Sequence, residues 1–221
     1  MMADQAPTFR NLIAEFAEFL TVAIHTILYE RSLYPQTSFL SARRYNHPVR
    51  QSRHPKVCDW INDAVIAVEN ELLKGVVDSV AVVIFSKDNK AMERFVFDAS
   101  RFPAVAAADL DTPLERRDSE GEELDVLPQI DMEEQFRATM SKLTNCQSTL
   151  RPLPRGCTFT VAVELKPDGD APVSHPQPWV PAQPAEHDDS RAPNFTTIPV
   201  RKVQAGDLIF ETWIEEGQDK P

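Results

Sequence analysis

The chain has 221 residues, 42% of them apolar, enough to bury the core of one large domain or two small ones. Its formal net charge of −11 is concentrated in one place: residues 109–134 hold eleven of the 34 acids and two of the 23 lysines and arginines, leaving 23 acids against 21 basic residues elsewhere. That near-neutral remainder argues against direct DNA binding as the main activity, because a nucleic-acid surface is basic.

Residues 9–30 read as a helix. Phe9, Leu12, Ile13, Phe16, Leu20, Ala23, Ile24, Ile27 and Leu28 recur at helical spacing, and Phe19 and Val22 widen the stripe, which predicts a central helix ended by Tyr34-Pro35. Residues 41–56 read as a polar connection carrying Arg43, Arg44, Arg50, Arg53 and Lys56. It is either a contact for phosphate or an acidic partner, or a solvated loop balancing the acidic stretch, and the second reading is favoured. A second helix starts at Pro55 and is capped by Gly75, with Val57, Trp60, Ile61, Ala64, Val65, Val68 and Leu72 as its inner stripe. That placing makes Trp60 a core residue.

Val76–Phe85, the turn Lys87-Asp88-Asn89-Lys90 and Ala91–Phe97 predict a hairpin, whose run Val80–Phe85 is apolar on both faces and so covered on both sides. Residues 103–128, rich in Pro, Ala and acids, read as a disordered loop. A more polar third helix spans about Gln129–Cys146, with Ile130, Phe136, Met140 and Leu143 as its apolar positions. A strand follows, on which Cys157, Phe159, Val161, Val163 and Leu165 alternate with polar or small residues. Residues 167–199 hold eight of the 18 prolines, yet carry Trp179, Val180, Phe195 and Ile198. Such a run cannot sit inside a sheet, and its apolar bulk points to a strap crossing the domain. Leu208–Ile214 is a last strand, with Leu208, Phe210, Thr212 and Ile214 on one face and Ile209, Glu211 and Trp213 on the other. Trp213 is then either core or part of an exposed apolar patch for a partner.

Catalytic chemistry finds little purchase. The five histidines form no HExxH or other ligand spacing, no serine lies in GxSxG, and six glycines form no phosphate-cradling loop. The three cysteines form no CxxC pair, which points to a reducing compartment and away from a zinc site. The carboxylates at 118–125 lack EF-hand spacing. Glu15 and Glu18 break up the first apolar run, so no signal peptide is read, and no stretch reaches membrane-span length. An enzyme, a metal and a cofactor are all unexpected. Trp179, an aromatic in a proline-rich arm, is the anchor expected to hold the arm or grip a partner.

The strings Glu18-Phe19-Leu20, Ile27-Leu28-Tyr29, Tyr34-Pro35, Tyr45-Asn46-His47-Pro48-Val49, His54-Pro55, Phe95-Val96-Phe97, Gly156-Cys157-Thr158-Phe159-Thr160-Val161, Pro178-Trp179 and Ile214-Glu215-Glu216 are shared, in order, with a known family. They resemble the HORMA-domain accessory subunits of translesion DNA polymerase zeta, over about residues 8–216. The resemblance implies an α+β fold: three helices on an antiparallel sheet, one HORMA domain over 1–221 with its core at about 8–165. A C-terminal "safety belt" at about 166–216 closes over a partner peptide that pairs as an added strand. It implies a non-catalytic nuclear adaptor that clamps a peptide of the catalytic subunit and bridges to the C-terminal domain of the scaffold polymerase. The alternative is a spindle-checkpoint or meiotic-axis relative. By the same resemblance, Trp60 and Trp179 contact the peptide, and Arg137 lies at a HORMA–HORMA dimer face. Thr197, Pro199, Glu211 and Trp213 lie on the scaffold-polymerase surface, where Thr197 replaces an aliphatic residue, Glu211 an amide and Trp213 a tyrosine.

Overall fold

A computed structural model describes residues 7–114, 116–117, 123–124, 129–169, 179–180, 195–205, 208–218 and 220. Helix α1 (Phe9–Glu30) starts at a capping box in which the Thr8 hydroxyl accepts from the Asn11 N–H and the Asn11 side chain accepts from the Thr8 N–H. It ends four residues before Tyr34-Pro35. Ser32 takes φ +53°, and the Leu33 and Ser32 N–H groups donate to the Leu28 and Tyr29 carbonyls. By length and composition α1 could cross a membrane, against the expectation that no stretch would. Its apolar surface is instead spent on the protein core, where Phe16, Phe19, Leu20, Ile24 and Ile27 are fully buried.

The segment at 41–56, expected to be a loop, holds a hairpin of β1 (Phe39–Arg44) and β2 (His47–Ser52). Its two-residue turn puts Tyr45 and Asn46 both at φ +52°. That mirror-image turn matches strand twist, which is why so polar a sequence still pairs. Helix α2 (Pro55–Leu73) has Pro55 in its first turn, and Gly75 after its end takes φ +73°. Ile61, Val65, Val68 and Leu72 are buried, whereas Trp60 is 42% exposed, so the reading of Trp60 as core is corrected.

Strands β3 (Val77–Phe85) and β4 (Ala91–Asp98) form the expected hairpin. After them, residues 103–114 do not behave as the disordered loop expected of them. They lie on the start of α1: the Arg10 N–H donates to the Leu110 carbonyl, Thr8 bridges to Pro113, and Arg10 pairs with Asp111 at 2.7 Å. Leu110 is the buried apolar anchor. Beyond it stand the short pair β5 (Arg116–Arg117) and β6 (Glu123–Leu124); the rest of the expected loop, residues 115, 118–122 and 125–128, lies outside the described residues. Helix α3 (Gln129–Leu143) buries Met132, Phe136, Met140 and Leu143; the side chain of Ile130 lies outside the described residues.

Strand β7 (Thr158–Leu165) follows, and the chain ends in a hairpin of β8 (Phe195–Ala205) and β9 (Leu208–Gly217). The expected proline-rich arm thus yields to strand at 195. Pro199 is tolerated because β8 is an outer strand and the register shifts between Pro199 and Arg201. The remainder of the arm, apart from Trp179 and Val180, lies outside the described residues from 170 to 194. The main sheet is antiparallel, in the order β7-β3-β4-β9-β8. The fold is therefore α+β, three helices with antiparallel sheets.

The core lies between the helices and one face of this sheet. Phe19 stacks on Phe136 at 4.6 Å, and Phe16 meets Phe210 edge-on at 5.2 Å. The other face carries a smaller cluster made by the sheet's own side chains. Its cluster of Ala81, Val83 and Val96 is packed by Phe85, Ala91, Ala162 and Trp213, all on strands, with no helix residue among them.

Candidate peptide-binding groove

Strand β7 is an outer strand. It pairs with β3 on one side, and among the described residues no strand pairs with its other edge. The β8–β9 hairpin docks at the opposite side of the sheet, on β4, and so does not cover that edge. An outer strand presents a row of free N–H and C=O groups that an extended chain can complete.

The start of β7 faces an aromatic wall. The Schellman-type end of α1 delivers Leu33 and Tyr34, and the first turns of α2 deliver Lys56, Val57 and Trp60. With Cys157, Thr158 and Phe159 these residues line an open groove of about 400 Å³. Trp60 meets Phe159 edge-on at 5.0 Å, and Tyr34 meets Phe159 at 6.5 Å. Burial raises the Tyr34 hydroxyl above its usual pKa, so it is a neutral donor. A second cavity of about 400 Å³, walled by Arg31, Leu150, Pro152 and Arg155 among others, shares Leu33 and Cys157 with the first. The two cavities therefore adjoin at Leu33 and Cys157, beside the start of β7.

Trp179 is half-buried against the main core, and its buried indole N–H has no hydrogen-bond acceptor among the described residues. No ring contact joins it to Trp60 among the described residues. Thr197, Pro199, Glu211 and Trp213 come together on the outer sheet face, away from the main core. Pro199 stands opposite Trp213 in register, and Glu211 takes Lys202 at 3.5 Å and Arg101 at 3.9 Å. Trp213 is half-buried on the small strand cluster and donates to Glu215 at 3.0 Å, so it is neither a full core residue nor a fully exposed one. Arg137 lies on the exposed side of α3, paired with Glu134 at 3.3 Å. Trp60, Arg137 and the group of Thr197, Pro199, Glu211 and Trp213 therefore fall on separate surfaces.

The titratable groups nearby are tuned away from nucleophilic or acid–base work. Burial pushes the Cys157 thiol up, and that of Cys146 up to about 12. His25, read from sequence as a packed helix residue, is buried. Its Nδ1 accepts from the Ser52 N–H at 3.4 Å, and burial lowers its pKa from 6.5 to about 4. A histidine held neutral in the fold gives stability that is complete above pH 6.5 and is lost as pH falls toward 4, since the unfolded chain then binds the extra proton. Urea unfolding should therefore show a loss of about 2 kcal/mol between pH 7 and pH 5 that His25→Gln removes.

A HORMA domain profile matches residues 14–208. The chain belongs to the HORMA domain family. This HORMA domain is 37% identical to the DNA polymerase zeta processivity subunit of Schizosaccharomyces pombe over 217 residues, 98% of each chain. It is 30% identical to the human mitotic spindle assembly checkpoint protein MAD2B over 225 residues, 99% of this chain and 98% of the relative. Among solved structures, it superimposes on a chain of the mitotic checkpoint complex with a TM-score of 0.69 at 18% identity, covering 94% of this chain and 99% of that one. It superimposes on Caenorhabditis elegans HTP-1 bound to the HIM-3 closure motif with a TM-score of 0.62 at 15% identity, covering 96% and 92%. At those identities the likeness carries the fold alone.

Trp60 lies in this groove beside Tyr34, Val57 and Phe159, which sequence reasoning did not single out. The signal available was weak: Tyr34-Pro35 read only as a helix stop, and Phe159 only as one residue of an alternating strand.

Proposed function

We propose that this HORMA domain is the non-catalytic accessory subunit of a translesion DNA polymerase zeta, working in the nucleus. An extended, proline-containing segment of the catalytic subunit adds to the sheet along β7, with side chains in the groove of Tyr34, Trp60 and Phe159. The single observation that carries this reading is the β7 edge, unpaired among the described residues, beside that aromatic wall. Main-chain pairing supplies affinity, and the wall selects the side chains. The chain from 166 to 216 acts as the belt over that segment, with Trp179 packed on it. A belt that must open to release its ligand slows dissociation without needing a large interface. The outer face of Thr197, Pro199, Glu211 and Trp213 binds the C-terminal domain of the scaffold polymerase, which makes the protein a bridge. Arg137 marks a face for a second HORMA domain. The 37% identity to a polymerase zeta processivity subunit over almost the full chain supports this reading over a checkpoint or meiotic-axis one.

Titration calorimetry of the protein with a proline-containing segment of the polymerase zeta catalytic subunit tests it. Saturable one-to-one binding is expected. A folded protein that takes no such segment, but does take checkpoint or meiotic partners in a pull-down, would replace this reading with the alternative.

A further inference from the structure

The wall of the β7 groove is mostly apolar and aromatic, but the head of β7 is ringed by cations. Lys56 lines the groove, and Arg155 lines the adjoining cavity. Both cavities include Cys157, so both cations stand beside the start of β7. Lys87 comes from the β3–β4 turn, and the pairing of Phe85 with Thr158 brings that turn to the same place. The Lys87 stem lies against Gly156: a Cβ there would clash with the Lys87 Cε and come within 3.2 Å of its Cγ and Cδ. Gly156 also takes φ +80°, which a side chain would strain, so the loop before β7 leaves room to seat this lysine.

These cations have no charge partner. Among the described residues Lys56, Lys87 and Arg155 take no carboxylate, whereas Arg10, Arg44, Arg94, Arg137 and Lys202, elsewhere on the surface, each take one. All three are exposed. Glu30 is the one acid lining either cavity among the described residues, and Arg50 and Arg31 act on it. Asp111, from the acidic stretch, pairs with Arg10 at the start of α1. The groove lies beyond the other end of that helix, whose 22 residues span about 33 Å.

We propose that this basic rim binds acidic side chains of the partner segment, flanking the part that adds to β7. The inference rests on the reading of the groove as a peptide site, and it names the chemistry of the segment's end at the head of β7. Ammonium and guanidinium groups only donate and carboxylates only accept, so the two sets match without leaving a group unpaired. Nucleic acid fits less well, because its phosphates would meet few cations against the repulsion of a chain whose net charge is −11. Single exposed pairs contribute little, but several acting on a segment already held by strand pairing shift its affinity severalfold and steer its approach.

The probes are the proline-containing catalytic-subunit segment, with any acids of its own changed to amides, carrying Gly-Gly-Glu-Glu-Glu at its N- or its C-terminal end. Forms carrying Gly-Gly-Gln-Gln-Gln are the neutral controls. Both ends are tried because an edge strand accepts a parallel or an antiparallel neighbour. Calorimetry at low ionic strength should show one Glu form binding about fivefold or more tighter than its Gln form. The gain should shrink at high salt and vanish in the triple variant Lys56→Gln, Lys87→Gln, Arg155→Gln. That variant should keep the parent's unfolding midpoint, since none of its three side chains has an ion pair to lose. Equal affinity of Glu and Gln forms at both ends overturns the proposal and leaves the groove reading in place, as does a gain that the triple variant keeps. Binding of a Glu form alone, lost in the triple variant, supports the basic rim and overturns the groove reading. Binding of no form overturns both. An oligothymidylate bound through the same three cations, with no gain from the glutamates, would make the rim a nucleic-acid contact instead.

Discussion

Replacing Glu93 with alanine is expected to cost the folded protein about 3–5 kcal/mol, read as a fall in the urea unfolding free energy at pH 7. Glu93 on β4 has no exposed surface. It accepts two hydrogen bonds from Arg31, at 2.8 and 2.6 Å, and a third from the Lys220 ammonium, which is itself fully buried. Lys220 also donates to Glu216 at 2.7 Å, and Glu216 accepts from the Arg151 N–H at 2.8 Å. Burial works against the Glu216 carboxylate, but Lys220 and Arg151 outweigh it and hold its pKa below the usual range. Its share of stability is therefore present at neutral pH and lost as pH falls through that lowered value. Removing Glu93 leaves the buried Arg31 guanidinium without its carboxylate and Lys220 with Glu216 alone, which is the expensive way to break a buried pair. Lys220→Met should cost less, because Arg31 still holds Glu93 through both oxygens. The network ties the end of α1, β4, the loop before β7 and the C-terminal tail together, so it also fixes the head of the groove. A Glu93→Ala protein within about 1 kcal/mol of the parent would show that the network contributes no such stability.

None of that network was legible in the sequence. Residues 31, 93, 151, 216 and 220 are brought together only by the tertiary fold, and no periodicity links them. Elements whose signal is local were legible. The apolar stripe gave α1, Pro55 and Gly75 bracketed α2, and β-branched runs around Asp88-Asn89 gave the β3–β4 hairpin. The β1–β2 hairpin was hidden because only Phe39, Val49 and Ser52 of its strand residues are buried, so no alternation shows among the arginines. β8 was hidden by Pro199, whose missing N–H is harmless on an outer strand. Trp60 was misplaced for a simpler reason. It precedes Ile61, and neighbours on a helix point about 100° apart. Ile61 takes the core, which leaves Trp60 at the rim, where it can face a ligand.

That position sets the second large effect. Trp60→Ala should weaken the catalytic-subunit peptide by roughly 30-fold or more, as expected for an aromatic anchor, while changing stability by only about 1 kcal/mol. The small stability change follows from its 42% exposure and its one ring contact, to Phe159. Trp179→Ala should cost binding as much. Its effect should fall on the dissociation rate, because a belt residue acts by holding the ligand in once bound. Its buried indole N–H points the same way: a ligand carbonyl would give it the acceptor it lacks among the described residues. Arg137→Ala and Thr197→Ala, on other surfaces, should leave this affinity unchanged. Calorimetry and stopped-flow dissociation on the four variants separate the cases. If Trp179→Ala binds and releases the peptide like the parent, the belt has no part in capture. If Trp60→Ala does so as well, the peptide lies somewhere other than the groove at the head of β7.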